Sequence, residues 1–116
     1  MIAAGPSHLD AVLAALADPT RRAIVERLLA RGETIVGDIA EPFRISAPAI
    51  SRHLRVLEDA GLVERRAEGQ WRFVRARPDA LRPVETWVSS ARRHWSAALD
   101  RLEAVAARET PKRKKS

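Results

Sequence analysis

Apolar residues recur at two different periods along this chain, and the change from one to the other outlines its architecture. Leu9, Val12, Leu13 and Leu16 follow the three-and-four spacing of one helix face. Ser7, with Asp10 three residues on, reads as the cap of that helix. Asp18-Pro19 interrupts the chain and restarts it: Asp18 can cap, and Pro19 suits a first helical position, where its missing N–H costs nothing. The second helix carries Ile24 and Leu28 on one face and ends at Gly32. A third, short helix is expected from Thr34, carrying Ile35, Val36 and Ile39, and stopping near Glu41 because Pro42 disfavours a helical residue before it. Phe43-Arg44-Ile45 makes a tight connection, and Ser46 caps a fourth helix whose buried face is Ile50, Leu54 and Leu57 and whose end is Gly61.

After Gly61 the period drops to two. Leu62 to Ala67 and Gln70 to Arg77 read as two strands joined through Glu68-Gly69, with Trp71 and Phe73 expected to face the core. Pro78 ends the hairpin. A long last helix, from Asp79 or Pro83 to about Arg108, shows the clearest periodicity: Leu81, Val84, Val88, Ala91, Trp95, Ala98, Leu102 and Val105 keep a strict alternation of three and four, widened by Trp87 and Leu99. The remainder, 109–116, is polar and basic and is expected to be disordered.

Two short helices, a tight turn between them, and a basic hairpin after the second form a winged helix-turn-helix. The expected fold is mainly α with a small β-hairpin, in the order α-α-α-α-β-β-α. Residues 1–108 make one domain for DNA binding and dimerisation. In this architecture the helix after the turn enters the major groove of duplex DNA, so its outer face must be small or basic while its inner face anchors to the core. With Ile50 at the buried centre, steps of about 100° put Leu54 and Leu57 beside it. The same steps put Pro48, Ser51, Arg52 and Arg55 on the exposed side. Arg52 or Arg55 suits guanine, and Ala47 or Pro48 suits a thymine methyl. His53 falls on the flank, where it either packs at the helix boundary or meets a phosphate. On the hairpin, Arg66 and Arg72 lie nearest the turn and are expected to hold DNA, with Gln70 beside them.

The apolar stripe of the last helix needs a partner, since a helix of about seven turns outruns so small a domain. A homodimer is the expected answer, with Leu9, Val12 and Leu16 of the first helix joining Trp87, Val88, Ala91, Trp95, Leu99 and Leu102 at the interface.

Composition refines this picture. The formal net charge is +6, yet Lys112, Arg113, Lys114 and Lys115 in the tail account for four of those charges. Placement is more telling: eight Arg against four acids lie between Arg44 and Arg77. Apolar residues make up 46% and aromatics only 4%, which suits a helical core of Ala, Leu, Val and Ile. The absence of Cys excludes disulfides, thiolate metal sites and cysteine nucleophiles, and fits a cytoplasmic protein. The N-terminus has no signal-peptide pattern and no apolar run is long enough to span a bilayer. Three His, no Cys and no Gly-rich phosphate loop supply no catalytic constellation, so an enzyme is not expected. The readings that compete are a nonspecific or nucleoid-associated DNA binder and a winged helix that binds protein.

The stretch from Ile45 to Val63, ISAPAISRHLRVLEDAGLV, resembles the recognition helix and following strand of the ArsR family of winged-helix repressors. Asp18-Pro19-Thr20-Arg21-Arg22 and the late Trp95…Leu99-Asp100-Arg101-Leu102-Glu103 are similar to its metal-free, autorepressor-like members, and the resemblance runs roughly from Leu9 to Val105. It implies base and phosphate contacts at Ala47, Pro48, Ser51 and Arg52, which the capping Ser46 is expected to join. Where the family often has Gln and Ser, this chain has Ala47 and Pro48, which bring no amide to adenine. Where the wing often has Arg after its Gly, Gln70 stands. The family's metal-sensing box resembles Glu-Leu-Cys-Val-Cys-Asp-Leu; the matching stretch from Glu33 to Ile39 has Ile35 and Gly37 in place of both cysteines. The family's other sensor pattern, Asp-x-His with His-x-x-Glu, is reduced to His94 alone. No metal and no cofactor is expected, and the residues name no small-molecule effector.

Overall fold

The computed structural model describes residues 8–109. The cap expected at Ser7 and the tail from 110 onward lie outside the described residues. The chain divides into two compact units, one ending at Val84 and the other beginning at Glu85.

The first unit opens with α1 (His8–Leu16) and α2 (Pro19–Arg31). Next come the two-residue strand β1 (Thr34–Ile35), the short helix α3 (Val36–Ala40) and a single 3-10 turn over Glu41–Phe43. Helix α4 (Ala47–Asp59) leads into the hairpin strands β2 (Val63–Glu68) and β3 (Trp71–Ala76). A 3-10 turn at Pro78–Leu81 precedes α5 (Arg82–Glu109), most of which forms the second unit.

Asp18-Pro19-Thr20-Arg21-Arg22 joins α1 to α2 by satisfying both helix ends at once. Asp18 is extended (φ −81°, ψ 127°), and its carboxylate accepts the Arg21 N–H at 3.0 Å. That hydrogen bond holds the Asp18 carboxyl below its usual range, helped by the charge of Arg21 and the neighbouring His53, although partial desolvation opposes it. Pro19 sits in the first turn, where no N–H is missed. The two arginines then reach back to the open carbonyls of α1, which has no basic residue in its own last turn. Arg21 Nε donates to the Ala15 carbonyl at 2.7 Å and Arg22 Nη1 to that of Leu16 at 2.8 Å. Arg21→Ala is therefore expected to lower stability by about 1.5 kcal/mol, the typical worth of a charged hydrogen bond. A urea titration checks this, and an unchanged midpoint would show that water serves the Ala15 carbonyl equally well.

The core is aliphatic. Val12, Ile24, Leu28, Ile39, Ile50, Leu54, Leu57, Leu62, Val63 and Val74 are all buried, and Leu16, Phe43, Ile45, Leu81 and Val84 pack around them. Every helix of the first unit, and the wing, contributes to this single cluster.

Four expectations are corrected here. First, Thr34 and Ile35 are strand rather than helix: they pair antiparallel with Val74 and Phe73, giving a three-stranded sheet in the order β1-β3-β2. Two β-branched residues gain more from ladder hydrogen bonds than from the first turn of a five-residue helix. Second, Glu68 pairs with Trp71, so the hairpin turn is Gly69-Gln70 instead of Glu68-Gly69. Gly69 has φ 61° at the first turn position, as a type II′ turn requires. Third, Trp71 does not pack on the core: it is 51% exposed, and Val74 is the β3 side chain that faces inward. Fourth, Val12 is 0% exposed. A fold this small uses α1 to close its own core, so Val12 is not open to a second chain; Leu16 packs against the same core and Leu9 is half-buried.

In the second unit α5 behaves in the opposite way. The helix runs 28 residues, about 42 Å, and none of them is buried. Trp87, Val88, Trp95, Leu99, Leu102 and Val105 all stand exposed along it, and Ala91 is half-buried.

Candidate nucleic-acid interface

The turn between α3 and α4 sets how α4 is presented. After the 3-10 turn, Arg44 adopts a left-handed conformation (φ 55°, ψ 37°), and among the described residues no other non-glycine has a positive φ. Half-buried Phe43 and Ile45 flank it and hold the turn against the core, which offsets the cost of that conformation. Ser46 follows in an extended conformation, and its Oγ accepts the Ala49 N–H at 3.2 Å, so α4 starts at Ala47 with Pro48 in its first turn.

Helix α4 then divides by face. Ile50, Leu54 and Leu57 are buried. Ser46, Ala47, Pro48, Ser51, Arg52 and Arg55 are exposed. His53, on the flank, is half-buried, with Nδ1 3.9 Å from the Asp18 carboxylate; it stands at the boundary with the start of α2 rather than on the exposed face.

On the wing, the register sorts side chains onto two faces. Val63, Arg65, Ala67, Arg72, Val74 and Ala76 share one; Glu64, Arg66, Glu68, Trp71, Phe73 and Arg75 share the other. The first face continues from the core outward, and an open groove of about 540 Å³ separates the wing from α4, lined by Val36, Ser51, Arg65, Arg66, Ala67 and Arg72.

Ion pairing separates the arginines of this region into two groups. Arg65 meets Glu58 at 3.1 Å, Arg66 meets Glu33 at 2.9 Å, Arg75 meets Glu64 at 2.6 Å and Arg77 meets Glu64 at 3.3 Å. Among the described residues Arg44, Arg52, Arg55 and Arg72 form no such pair, and all four are exposed. Arg66 is the most heavily engaged. It forks onto both Glu33 oxygens, reaches Glu68 at 2.8 Å and lies over the Phe73 ring at 4.3 Å. Hydrogen bonds to Arg66 hold the Glu33 carboxyl below its usual range, and those to Glu33 and then Glu68 raise Arg66 further. Its geometry ties the wing to the α2–β1 connection, while Arg72, on the opposite face, meets no carboxylate among the described residues and donates to the Trp71 carbonyl at 3.4 Å. Gln70 is exposed in the turn. Arg44 is the residue that reading along the chain passed over; its signal is a lone cation at the tightest point between two helices.

Among the described residues no group of three or more His, Cys, Asp or Glu side chains comes together to hold a metal ion. His94 Nδ1 instead lies 2.9 Å from the Ser90 carbonyl one turn back.

A helix-turn-helix domain family matches residues 16–66. The chain is 44% identical over 90 residues to an HTH-type transcriptional regulator of Mycobacterium tuberculosis, covering 78% of this chain and 80% of the relative. It is 38% identical over 80 residues to the transcriptional repressor SdpR of Bacillus subtilis, covering 69% and 88%. A crystal structure of an ArsR family transcriptional regulator superposes with a TM-score of 0.73 at 34% identity, covering 82% of this chain and 97% of that one. The chain belongs to the ArsR family. This ArsR-family chain is a DNA-binding transcriptional regulator and not an enzyme. Another solved relative, at 30% identity and a TM-score of 0.60 over 82% of this chain and 95% of that one, is the homodimeric winged helix-turn-helix DNA-binding domain of a possible ArsR-family regulator from Mycobacterium bovis.

Proposed function

We propose that this ArsR-family chain is a repressor that binds an inverted-repeat operator as a homodimer and does so without sensing a metal. The observation that carries the reading is the exposed face of α4, where a hydroxyl, two small apolar edges and two guanidinium groups without an ion pair among the described residues stand clear of a buried apolar face. Arg52 and Arg55 have the planar fork that matches guanine in the major groove. Arg44, Arg72 and the open groove between α4 and the wing suit backbone phosphates.

A single recognition helix contacts too few bases for useful specificity. The exposed apolar stripe of α5 supports a second copy as its cover, and a twofold dimer would set two α4 helices about 34–36 Å apart on successive major grooves. The homodimeric relative from Mycobacterium bovis and the repressor from Bacillus subtilis point the same way. The basic tail adds counter-ion release without sequence preference. The protein then works in the cytoplasm, where its DNA is.

Selection of bound duplexes from a random pool tests this reading. The expected result is an inverted repeat with half-sites about one helical turn apart. Uniform recovery of all sequences would make the chain a nonspecific binder, and no recovery would leave a protein-binding module.

Metal independence rests on the donor set: Ile35 and Gly37 offer no ligand, and soft metals need thiolates. Stoichiometric zinc, cadmium or arsenite is expected to leave operator affinity unchanged in a mobility-shift titration. Release of the operator by any of the three would overturn it.

A further inference from the structure

We propose that Trp71 is a DNA contact, its indole lying against the deoxyribose wall of the minor groove while Arg72 holds a phosphate from the opposite face of the same strand. The proposal rests on the reading of the chain as a DNA-binding winged helix and adds a residue to that interface.

Three observations carry it. Trp71 pairs with Glu68 directly beside the two-residue turn, so it stands at the tip of the wing, beyond Val74, the last buried residue of β3 towards the turn. At 51% exposure it leaves half of a large apolar ring with no cover from the described residues of its own chain, at a place where their packing gives no reason for tryptophan. The acid beside it is also engaged: Glu68 is held by Arg66 at 2.8 Å, and Arg66, shared with Glu33, draws that carboxylate back along the strand and away from the tip. Without that pairing a carboxylate would sit next to the indole and repel the phosphates. The wing tip thus has one face with an exposed indole and one cationic face, where Arg72 lacks a carboxylate partner among the described residues. A hairpin tip set into a minor groove turns its two faces to the two walls of the groove. Those walls are built of sugar C–H edges and phosphate oxygens, which match an indole and a guanidinium respectively.

The test uses the full chain and the inverted-repeat duplex that the wild type selects. Wild type, Trp71→Ala, Trp71→Phe and Arg72→Ala are titrated at several salt concentrations. Trp71→Ala is expected to bind about tenfold more weakly at every salt concentration, with the slope of affinity against salt unchanged, because an apolar contact releases no counter-ions. Trp71→Phe keeps most of the affinity. Arg72→Ala lowers the slope by about 0.9. Read at a protein concentration where sedimentation shows the chain already dimeric, so that Trp87 and Trp95 on α5 do not respond, wild-type tryptophan fluorescence should change on adding duplex, and this change should vanish in Trp71→Phe. Wild-type affinity in Trp71→Ala, or a fluorescence change that persists in Trp71→Phe, overturns the contact and leaves the DNA-binding reading intact. A wild-type chain that binds no duplex overturns both. Should Trp71→Ala melt early, the fluorescence of Trp71→Phe still decides.

Discussion

Changing Trp95 and Leu102 together to glutamate is expected to convert the protein from a dimer to a monomer and to abolish specific DNA binding. Both side chains lie on one stripe of α5 and are 68% and 64% exposed in the single chain. Burying a large apolar side chain is worth about 1.5–3 kcal/mol, and a twofold interface counts each residue twice. Losing four such contacts and introducing four charges should weaken association by well over a thousandfold, at about 1.4 kcal/mol per factor of ten. Trp95 is expected to be the anchor, because large aromatics dominate interfaces of this kind. The first unit should survive the change, since its core contains no residue beyond Val84. Analytical ultracentrifugation measures the association state and circular dichroism the fold. If the unmodified chain sediments as a monomer at micromolar concentration and still binds its operator with full affinity, the dimer reading is wrong.

Arg52→Ala and Arg55→Ala should each lower affinity for the operator by about 1–3 kcal/mol, roughly ten- to a hundredfold, and affect random duplex much less. The expectation follows from position and from pairing. Both guanidinium groups project from the exposed face of α4, and among the described residues neither is given to a carboxylate, so neither must break such an ion pair to reach a base. Arg65→Ala is the informative control: Arg65 already meets Glu58 at 3.1 Å, and removing it should leave discrimination between operator and random DNA nearly unchanged. Equal losses on operator and random duplex for Arg52→Ala and Arg55→Ala would reassign both residues to the phosphate backbone.

What the sequence determined by itself was whatever depends on neighbours within a turn or two. Asp18, Pro19 and Gly32 mark the ends of α2 because a cap, a missing N–H and a positive φ are local properties. Ser46 marks the start of α4 for the same reason, and the spacing of Ile50, Leu54 and Leu57 tells its inner face from its outer one. The exposed set of Pro48, Ser51, Arg52 and Arg55 was legible from that spacing alone, as was the stripe along α5.

The tertiary structure decided what depends on residues far apart in the chain. β1 exists because Val74 and Phe73 stand opposite Thr34 and Ile35, a pairing that no window around position 34 contains. Val12 is core rather than interface because helices α2 and α4 close over it, and helical periodicity reports an apolar face without saying what covers it. Trp71 points outward because Val74 is the β3 residue that the core takes, and alternation along the strand puts Trp71 and Phe73 on the other face. The arginines are the sharpest case. Arg66 and Arg72 are alike by composition and by distance from the turn, yet Glu33, 33 residues before Arg66, occupies one guanidinium and leaves the other open. Whether a cation is available to DNA depends on its nearest carboxylate in space, and only the folded chain specifies that.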